Sequence, residues 1–325
     1  MPSSSRNFAQ YLLITTKGLA MGAADVVPGV SGGTIAFIAG IYEELIETIH
    51  KLDFGFFKSW RKEGLKSAWN QYNLSFLVAL FSGVLISILS LAKVITWLLD
   101  AYPILVWSFF FGLVIASIIY VGRQIKAWNA KIIIALVMAA GFAYAITLAK
   151  PVGSPDSTWF LFLAGFVAII AMILPGISGA FILLLLGAYE MVIGILSDLG
   201  DGLAKMDTDI LLSAIGRLLV FALGAIVGLK VFSRALNYMF KNFKHVTLAV
   251  LTGFMCGALN KIWPWKEVLE YRLNHSGEEV PFLERSILPN SFEGNSQVVL
   301  AMVFMVIGFL TIFLMEKFAA SKKEH

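Results

Sequence analysis

The chain has 325 residues, of which 58% are hydrophobic and only 14% charged, and its mean hydropathy is +0.82. A soluble domain carries roughly 25% charged residues, so this composition excludes an ordinary soluble protein and predicts a polytopic membrane protein. The net charge of +4 says little about partners, because basic residues in membrane proteins mainly set orientation. With a single cysteine, Cys256, an intrachain disulfide is excluded. We expect no cofactor and no nucleic-acid partner.

The apolar segments of the first half begin with two arms, at 8–24 and 34–50, on either side of a Pro-Gly sequence. Each arm would be about 25 Å long as a helix, which is slightly short for a membrane span. Three runs of spanning length follow, at 74–99, 103–122 and 131–149. The start of the chain lacks a small-residue cleavage pattern, so we expect it to be retained.

The second half repeats this plan after a loop at 150–157. Two arms again flank a Pro-Gly break, three apolar runs follow, and a long polar loop is added before the last run; these segments are 159–174, 180–197, 210–229, 246–263, 264–295 and 296–316. We therefore predict an all-α polytopic membrane protein with two inverted-topology repeats, 1–150 and 151–325. Each repeat would contain one re-entrant helical hairpin, 8–50 or 159–197, and three transmembrane helices.

A short motif recurs at the two breaks, as PGVSGGTIAFIAGIYE at 28–43 and PGISGAFILLLLGAYE at 175–190. Proline removes a backbone donor and glycine relaxes the chain, so a helix must break there. A break at membrane depth frees N–H groups that protein, water or a ligand must satisfy. Two such breaks in matching halves predict a binding site between inverted repeats. A shift of 141 residues also aligns 74–118 of the first half with 215–259 of the second, and this alignment pairs Gly83 with Gly224.

Two models compete for each broken element, a discontinuous helix that crosses the membrane and a re-entrant hairpin that returns to its own side. The positive-inside rule favours hairpins with a cytoplasmic N-terminus, because the basic segments 51–73, 123–131 and 230–245 and the C-terminus then all lie inside. The loop at 264–295, where Glu exceeds Lys and Arg, lies outside. Three spans per half would invert the second half, so the two tips would meet near the midplane from opposite faces.

The residues that begin the exit helices, 31–34 and 178–181, are candidates for anion binding. Helix N-termini carry unpaired N–H groups and a partial positive charge, and serine is a good N-cap. Two such ends facing each other predict an anion site that suits phosphate. The candidate residues are Gly29, Ser31, Gly32, Gly33, Thr34, Gly176, Ser178 and Gly179. The alternative is that the motif only turns a hairpin.

Four charged residues in apolar surroundings are further candidates, because a charge in the membrane is costly and usually faces a cavity. Arg217, within its predicted span, would bind the phosphate or snorkel outward. Asp25, three residues before Pro28, would pair with Arg217, carry a proton or cap the tip locally. Glu43 and Glu190 lie twelve residues past the serines, about 18 Å away along a straight helix. They would gate the openings of the site towards the two membrane surfaces, relay protons, or form a hydrogen bond near a helix end.

Motifs typical of catalysis are not visible in the chain: it contains no HExxH, CxxC or Walker A sequence, and no GxSxG or GxGxxG sequence in a strand–helix setting. We therefore predict neither a catalytic site nor a metal site.

At the two breaks the sequence resembles a known family. GAADVVPGVSGGTIAFIAGIYEELI at 22–46 and LPGISGAFILLLLGAYEMVI at 174–193 are similar to the paired signatures of the bacterial polyprenyl-phosphate transporters (PopT). This resemblance implies a flippase of the bacterial cytoplasmic (inner) membrane. It would move undecaprenyl phosphate from the outer to the cytoplasmic leaflet, which recycles the lipid carrier for cell-wall polymers.

Three other functions remain as alternatives from the residues alone. A transporter or channel for a small inorganic anion would also use converging helix N-termini. A phosphatase acting on a lipid phosphate would need a nucleophile beside a histidine, and no histidine lies near either motif. A scaffold for cell-wall enzymes would not need the costly Asp25 and Arg217. Coupling to protons or another ion, homo-oligomerisation and membrane-lipid contacts stay open.

Overall fold

The computed structural model describes residues 6–27, 30–53, 55–150, 157–273 and 279–321, so Gly29 and most of the predicted boundary loop lie outside the described residues. The regular elements in the described part of the first half are all helices. Its helices are α1 Phe8–Val26, α2 Gly32–Ile38, α3 Tyr42–Lys51, α4 Gly55–Glu63, α5 Leu65–Gln71, α6 Leu74–Ala101, α7 Pro103–Gln124 and α8 Ala130–Leu148.

The described part of the second half contains helices and one β-hairpin. Its elements are α9 Thr158–Ile173, α10 Gly179–Leu185, α11 Tyr189–Lys205, α12 Thr208–Asn242, α13 Lys244–Ala258, β1 Lys266–Leu273, β2 Glu279–Ser286 and α14 Val298–Ser321. The two strands pair antiparallel, with Val268 opposite Glu284. The fold is mostly helical, as predicted, and the long polar loop predicted at 264–295 contains this two-stranded sheet.

Four helices among the described residues, α6, α7, α8 and α12, are long and apolar enough to cross a membrane. Their apolar windows have a mean hydropathy between 2.1 and 2.5. The bent pair α10 and α11 would make a fifth if it counts as one span, and α9 and the apolar part of α14 are shorter. The predicted runs at 74–99, 103–122 and 131–149 coincide with α6, α7 and α8.

The exit arms of the two breaks are not continuous helices, which corrects the expectation for 34–50 and 180–197. Each arm breaks again at a glycine of the repeated motif, Gly40 or Gly187, both with φ of 69°. The amide of Ile41 bonds to Ala36 O and that of Ala188 bonds to Leu183 O, as in Schellman helix ends. In the second arm α10 and α11 are bent by 109°. Distances predicted along a straight arm, such as 18 Å to Glu43, therefore do not apply.

The segment 230–245 was predicted as a basic segment between two apolar runs, but most of it continues α12, which runs for 35 residues. Lys230, near the middle of this helix, donates to the carbonyl oxygens of Ile49 and His50 at 3.1 and 3.0 Å. An ammonium group at a helix C-terminus is favourable, because the last carbonyls lack intrahelical partners. This contact fixes α12 of the second half against α3 of the first.

Equivalent helices pack in the same way in both halves. The α1 helix packs on α6, and α9 packs on α12. A Cβ added at Gly83 would lie 2.1 Å from Thr15 O, and one added at Gly224 would lie 2.0 Å from Phe162 O. Across the halves, α7 packs on α14 and α8 on α13. The pairs α1–α6 and α9–α12 therefore each pack closely at a glycine of the later helix.

Candidate functional site

The N-terminus of α2 is satisfied by two groups of the first half. Ser31 is its N-cap, as predicted, and its Oγ accepts from the Gly33 amide at 3.1 Å. Asp25, near the end of α1, accepts from the Gly32 amide at 2.6 Å through Oδ1. Of the three roles considered for Asp25, the local cap is the one observed. Its carboxylate thus occupies the place where a bound anion would meet this helix end.

The two breaks contact each other directly. Ser31 Oγ lies within donating distance of Met172 O and Leu174 O, at 3.1 and 3.2 Å. In the opposite direction, the Gly176 amide donates to Thr34 Oγ1 at 2.9 Å. All residues of α2 are buried, and Ser31 and Thr34 are each 1% exposed. The first break is therefore closed by the second.

Tyr42 extends this contact beyond the glycine at which the first exit arm breaks. Its hydroxyl donates to Ile173 O at 3.1 Å, and its ring packs edge-on against Phe37 with centroids 5.1 Å apart. The side chain is 1% exposed. The bend after α2 therefore returns the Tyr-Glu end of the motif to the break of the other half.

A small open cleft lies beside the second break. Gly176, Ser178 and Phe181 from the second motif line it. Thr147 of α8 and Lys261, just after α13, complete its polar lining. Ser178 is 7% exposed and occupies the N-cap position of α10, but within the described part of the chain its side chain makes no capping bond. A hydroxyl and an ammonium therefore border this opening.

Lys261 is the cation of this cleft, and the sequence analysis missed it. Its Nζ lies 4.8 Å from the centroid of the Phe181 ring and 3.5 Å from Glu284 Oε2, and its side chain is 20% exposed. Lys261 falls inside the predicted span 246–263. The argument that placed Arg217 among the candidates, a cation within an apolar run, would have identified it as well.

The β-hairpin brings a second lysine to the same carboxylate. Lys266 Nζ lies 3.5 Å from Glu284 Oε2 and 3.6 Å from the centroid of the Trp107 ring. Burial lowers the pKa of Lys266 to about 8, although the Glu284 charge opposes this shift. Burial also disfavours ionisation of Glu284, but the charges of Lys266 and Lys261 outweigh it and hold the pKa of this carboxyl below its ordinary value.

The other predicted charged residues lie in separate ion pairs or at a helix start. Arg217 Nη2 donates to Asp198 Oδ2 at 2.5 Å, and both side chains are 44% exposed. Glu43 pairs with Lys244 at 2.8 Å in a half-exposed position. Glu190 lies half-buried in the first turn of α11. Because Asp25 bonds to Gly32 and Arg217 to Asp198, the Asp25–Arg217 pair considered from the sequence is not formed.

Gly179 begins α10, and an added Cβ there would lie 2.8 Å from Ala168 O, so this glycine permits close packing on α9. Within the described residues, no three His, Cys, Asp or Glu side chains come together as metal ligands. The polar side chains that line the cleft are thus the Thr147 and Ser178 hydroxyls and the Lys261 ammonium, which suit an oxyanion.

Comparisons with known proteins agree with this chemistry. Residues 21–280 match the model of a family described as undecaprenyl phosphate translocase-like. The chain is 45% identical over 313 residues to a polyprenyl-phosphate transporter of Vibrio cholerae serotype O1, covering 95% of this chain and 97% of the relative. It is 31% identical over 260 residues to a polyprenyl-phosphate transporter of Staphylococcus aureus, covering 76% and 84% of the two chains. No solved structure matches significantly.

The family match covers most of the chain, and the Vibrio cholerae relative aligns over nearly its whole length. The apolar helices α6, α7, α8 and α12 make the chain a multi-pass membrane protein, as its composition predicted. The chain belongs to the undecaprenyl phosphate translocase-like family.

Proposed function

We propose that the chain is a transporter that moves undecaprenyl phosphate, or a related polyprenyl phosphate, from the outer to the cytoplasmic leaflet of the bacterial inner membrane. This step would return the lipid carrier for cell-wall synthesis. The observation that carries the proposal is the cleft at the second break, where the Lys261 ammonium and the buried Ser178 hydroxyl face the same opening. The names of the two relatives supply the lipid.

In this proposal the phosphate binds at the cleft while the isoprenoid tail stays in the bilayer. A phosphate monoester offers two negative charges and three acceptor oxygens, which match a lysine, a hydroxyl and a backbone amide. Gly179 would add a backbone contact beside Ser178, and the Gly176 amide would add another once it leaves Thr34 Oγ1. Membrane lipids would cover the exposed apolar surfaces of α6, α8 and α12.

The two halves would be inverted repeats, each with a re-entrant hairpin, and both chain termini would be cytoplasmic. The matching helix pairs in the two halves support this arrangement. With this orientation the second break and the β-hairpin face the outside. The state described here, with α2 buried and the cleft open, would then be the one that accepts substrate from the outer leaflet.

Transport would require the first break to open in turn. Its Ser31, Gly32, Gly33 and Thr34 are bonded to protein groups in this state, so they would meet the phosphate only after the tips separate. Asp25 would have to leave the Gly32 amide, which assigns it to gating or proton coupling. We keep the same assignment for Glu43 and Glu190. Gly29 and Arg217 remain candidates for phosphate binding.

A binding experiment in nanodiscs tests the cation of the site, with farnesyl phosphate as a shorter probe. Lys261→Ala should weaken binding by roughly tenfold or more, because a desolvated charge contact is lost. Ser178→Ala should weaken it less. Lys205→Ala is the matched control, since this lysine forms an exposed pair with Asp201. Arg217→Ala, measured in parallel, decides whether that arginine also takes part.

Wild-type affinity in both Lys261→Ala and Ser178→Ala would refute the assignment of the site. Transport itself is measured as the movement of a labelled polyprenyl phosphate between leaflets of proteoliposomes. Flux of inorganic anions without binding of the lipid phosphate would instead support the small-anion transporter considered from the sequence.

A further inference from the structure

The β-hairpin formed by β1 and β2 is held against the segment that follows α13, which carries Lys261 of the cleft. Ser286 Oγ donates to Asn260 O at 2.9 Å, and the Trp263 indole donates to Ile287 O at 2.8 Å. The Trp263 ring also packs edge-on against Phe111 of α7, with centroids 5.2 Å apart. These contacts fix the strand that carries Glu284. The hairpin therefore contributes a positioned carboxylate to the cation of the cleft.

The carboxylate of Glu284 is shared between two ammonium groups and held closely by neither. Lys261 Nζ and Lys266 Nζ each lie 3.5 Å from the same oxygen, Oε2. On the same hairpin, the exposed pair of Arg285 and Glu267 has an N···O distance of 2.6 Å. Charge-assisted hydrogen bonds usually measure about 2.7–2.9 Å, so both contacts of Glu284 are long.

Among the described residues, the charges of this cluster are not balanced. Two ammonium groups face one carboxylate, and their side chains are only 20%, 9% and 24% exposed for Lys261, Lys266 and Glu284. A partly buried excess of positive charge is unfavourable and attracts a further anion. A phosphate monoester carries up to two negative charges on three oxygens, so it balances both lysines more completely than one carboxylate does.

We propose that Glu284 is a built-in competitor for the anion of the cleft: its carboxylate neutralises Lys261 and Lys266 in the empty site, and the substrate phosphate displaces it. The identity of the anion rests on the proposed function, whereas the competition does not. Exchange of one anion for another means that neither lysine is left buried without a counter-charge when the substrate leaves. The competition also weakens binding, which favours release during transport.

The test compares Glu284→Gln with Glu267→Gln in the full-length protein in nanodiscs. Glutamine keeps the size of the side chain and removes the charge. If Glu284 competes, Glu284→Gln binds farnesyl phosphate roughly tenfold more tightly than wild type. Glu267→Gln removes the same charge from the same hairpin and should bind like wild type. Without ligand, Glu284→Gln should also melt at a lower temperature than the wild type, and added phosphate should raise its melting temperature again.

Unchanged binding by Glu284→Gln would overturn the proposal. Weaker binding would overturn it as well, and would show that Glu284 instead holds Lys261 in place. If farnesyl phosphate fails to bind even the wild type, the proposed function is wrong, and the competition is then decided with inorganic phosphate. A gain in inorganic phosphate binding in Glu284→Gln alone supports the competition, and the lack of any gain refutes it.

Discussion

The hydrogen bond between the two breaks offers the most direct test of how they are held together. The Gly176 amide donates to Thr34 Oγ1 at 2.9 Å, and Thr34 is 1% exposed, so water cannot easily replace this acceptor. Thr34→Val keeps the shape of the side chain but leaves the amide without a partner. An unsatisfied buried donor costs about 1–3 kcal/mol.

For a chain of this size, that loss corresponds to a fall in melting temperature of roughly 1–5 °C. The assay is thermal unfolding of the purified protein in one detergent. Thr34→Ser retains the acceptor and should melt close to the wild type. Thr16→Val is the control for loss of a threonine hydroxyl, because Thr16 bonds to Leu13 O within its own exposed helix turn. If Thr34→Val has the same melting temperature as Thr34→Ser and Thr16→Val, the bond between the two breaks does not stabilise the closed first break.

Two further predictions concern backbone strain and a buried charge. Gly40→Ala and Gly187→Ala should each cost about 1 kcal/mol, since alanine disfavours a φ of 69°, whereas Gly141→Ala, in open space within α8, should stabilise slightly. Equal melting temperatures for all three would contradict this reasoning. Because the pKa of Lys266 is lowered to about 8, the unfolded state binds more protons between pH 8 and about 10.5, so stability rises with pH across that range by at most about 3 kcal/mol. Melting curves recorded at a series of pH values should show this rise for the wild type and not for Lys266→Met. The same pH dependence in both proteins would show that Lys266 does not cause it.

Local chemistry made part of the fold predictable from the sequence. The break at Pro175 and Gly176 and the N-cap at Ser31 follow from the lack of a proline donor, the freedom of glycine and the capping ability of serine. The apolar runs that became α6, α7 and α8 follow from length and hydropathy alone. The additional break within each exit arm, at Gly40 or Gly187, falls on a glycine that is identical in the two copies of the motif. Its apolar neighbours nevertheless fit a continuous helix equally well, so periodicity could not locate it.

The charged contacts of the site depend on tertiary structure and were not predictable in the same way. Lys261 meets Glu284 only because a β-hairpin folds back over the end of α13. Arg217 meets Asp198 because α11 and α12 are joined by a tight turn and pack together. Sequence distance carries no information about either contact. A cation in an apolar run therefore identifies a candidate, while its partner has to come from the fold.

The two copies of the motif share the Pro-Gly-x-Ser-Gly pattern but differ at positions that decide whether each break is closed or open. Asp25 corresponds to Met172 and Thr34 to Phe181 when the motifs are aligned. The first break has a carboxylate that caps its helix and a hydroxyl that bonds across to the second. The second has neither, and Phe181 instead faces the ammonium of Lys261. In the proposed transporter the two breaks must not be open at the same time, and these substitutions make the two breaks different. Giving the second break a carboxylate, as in Met172→Asp, should therefore close it against anions, and lost phosphate binding in that variant would support this view.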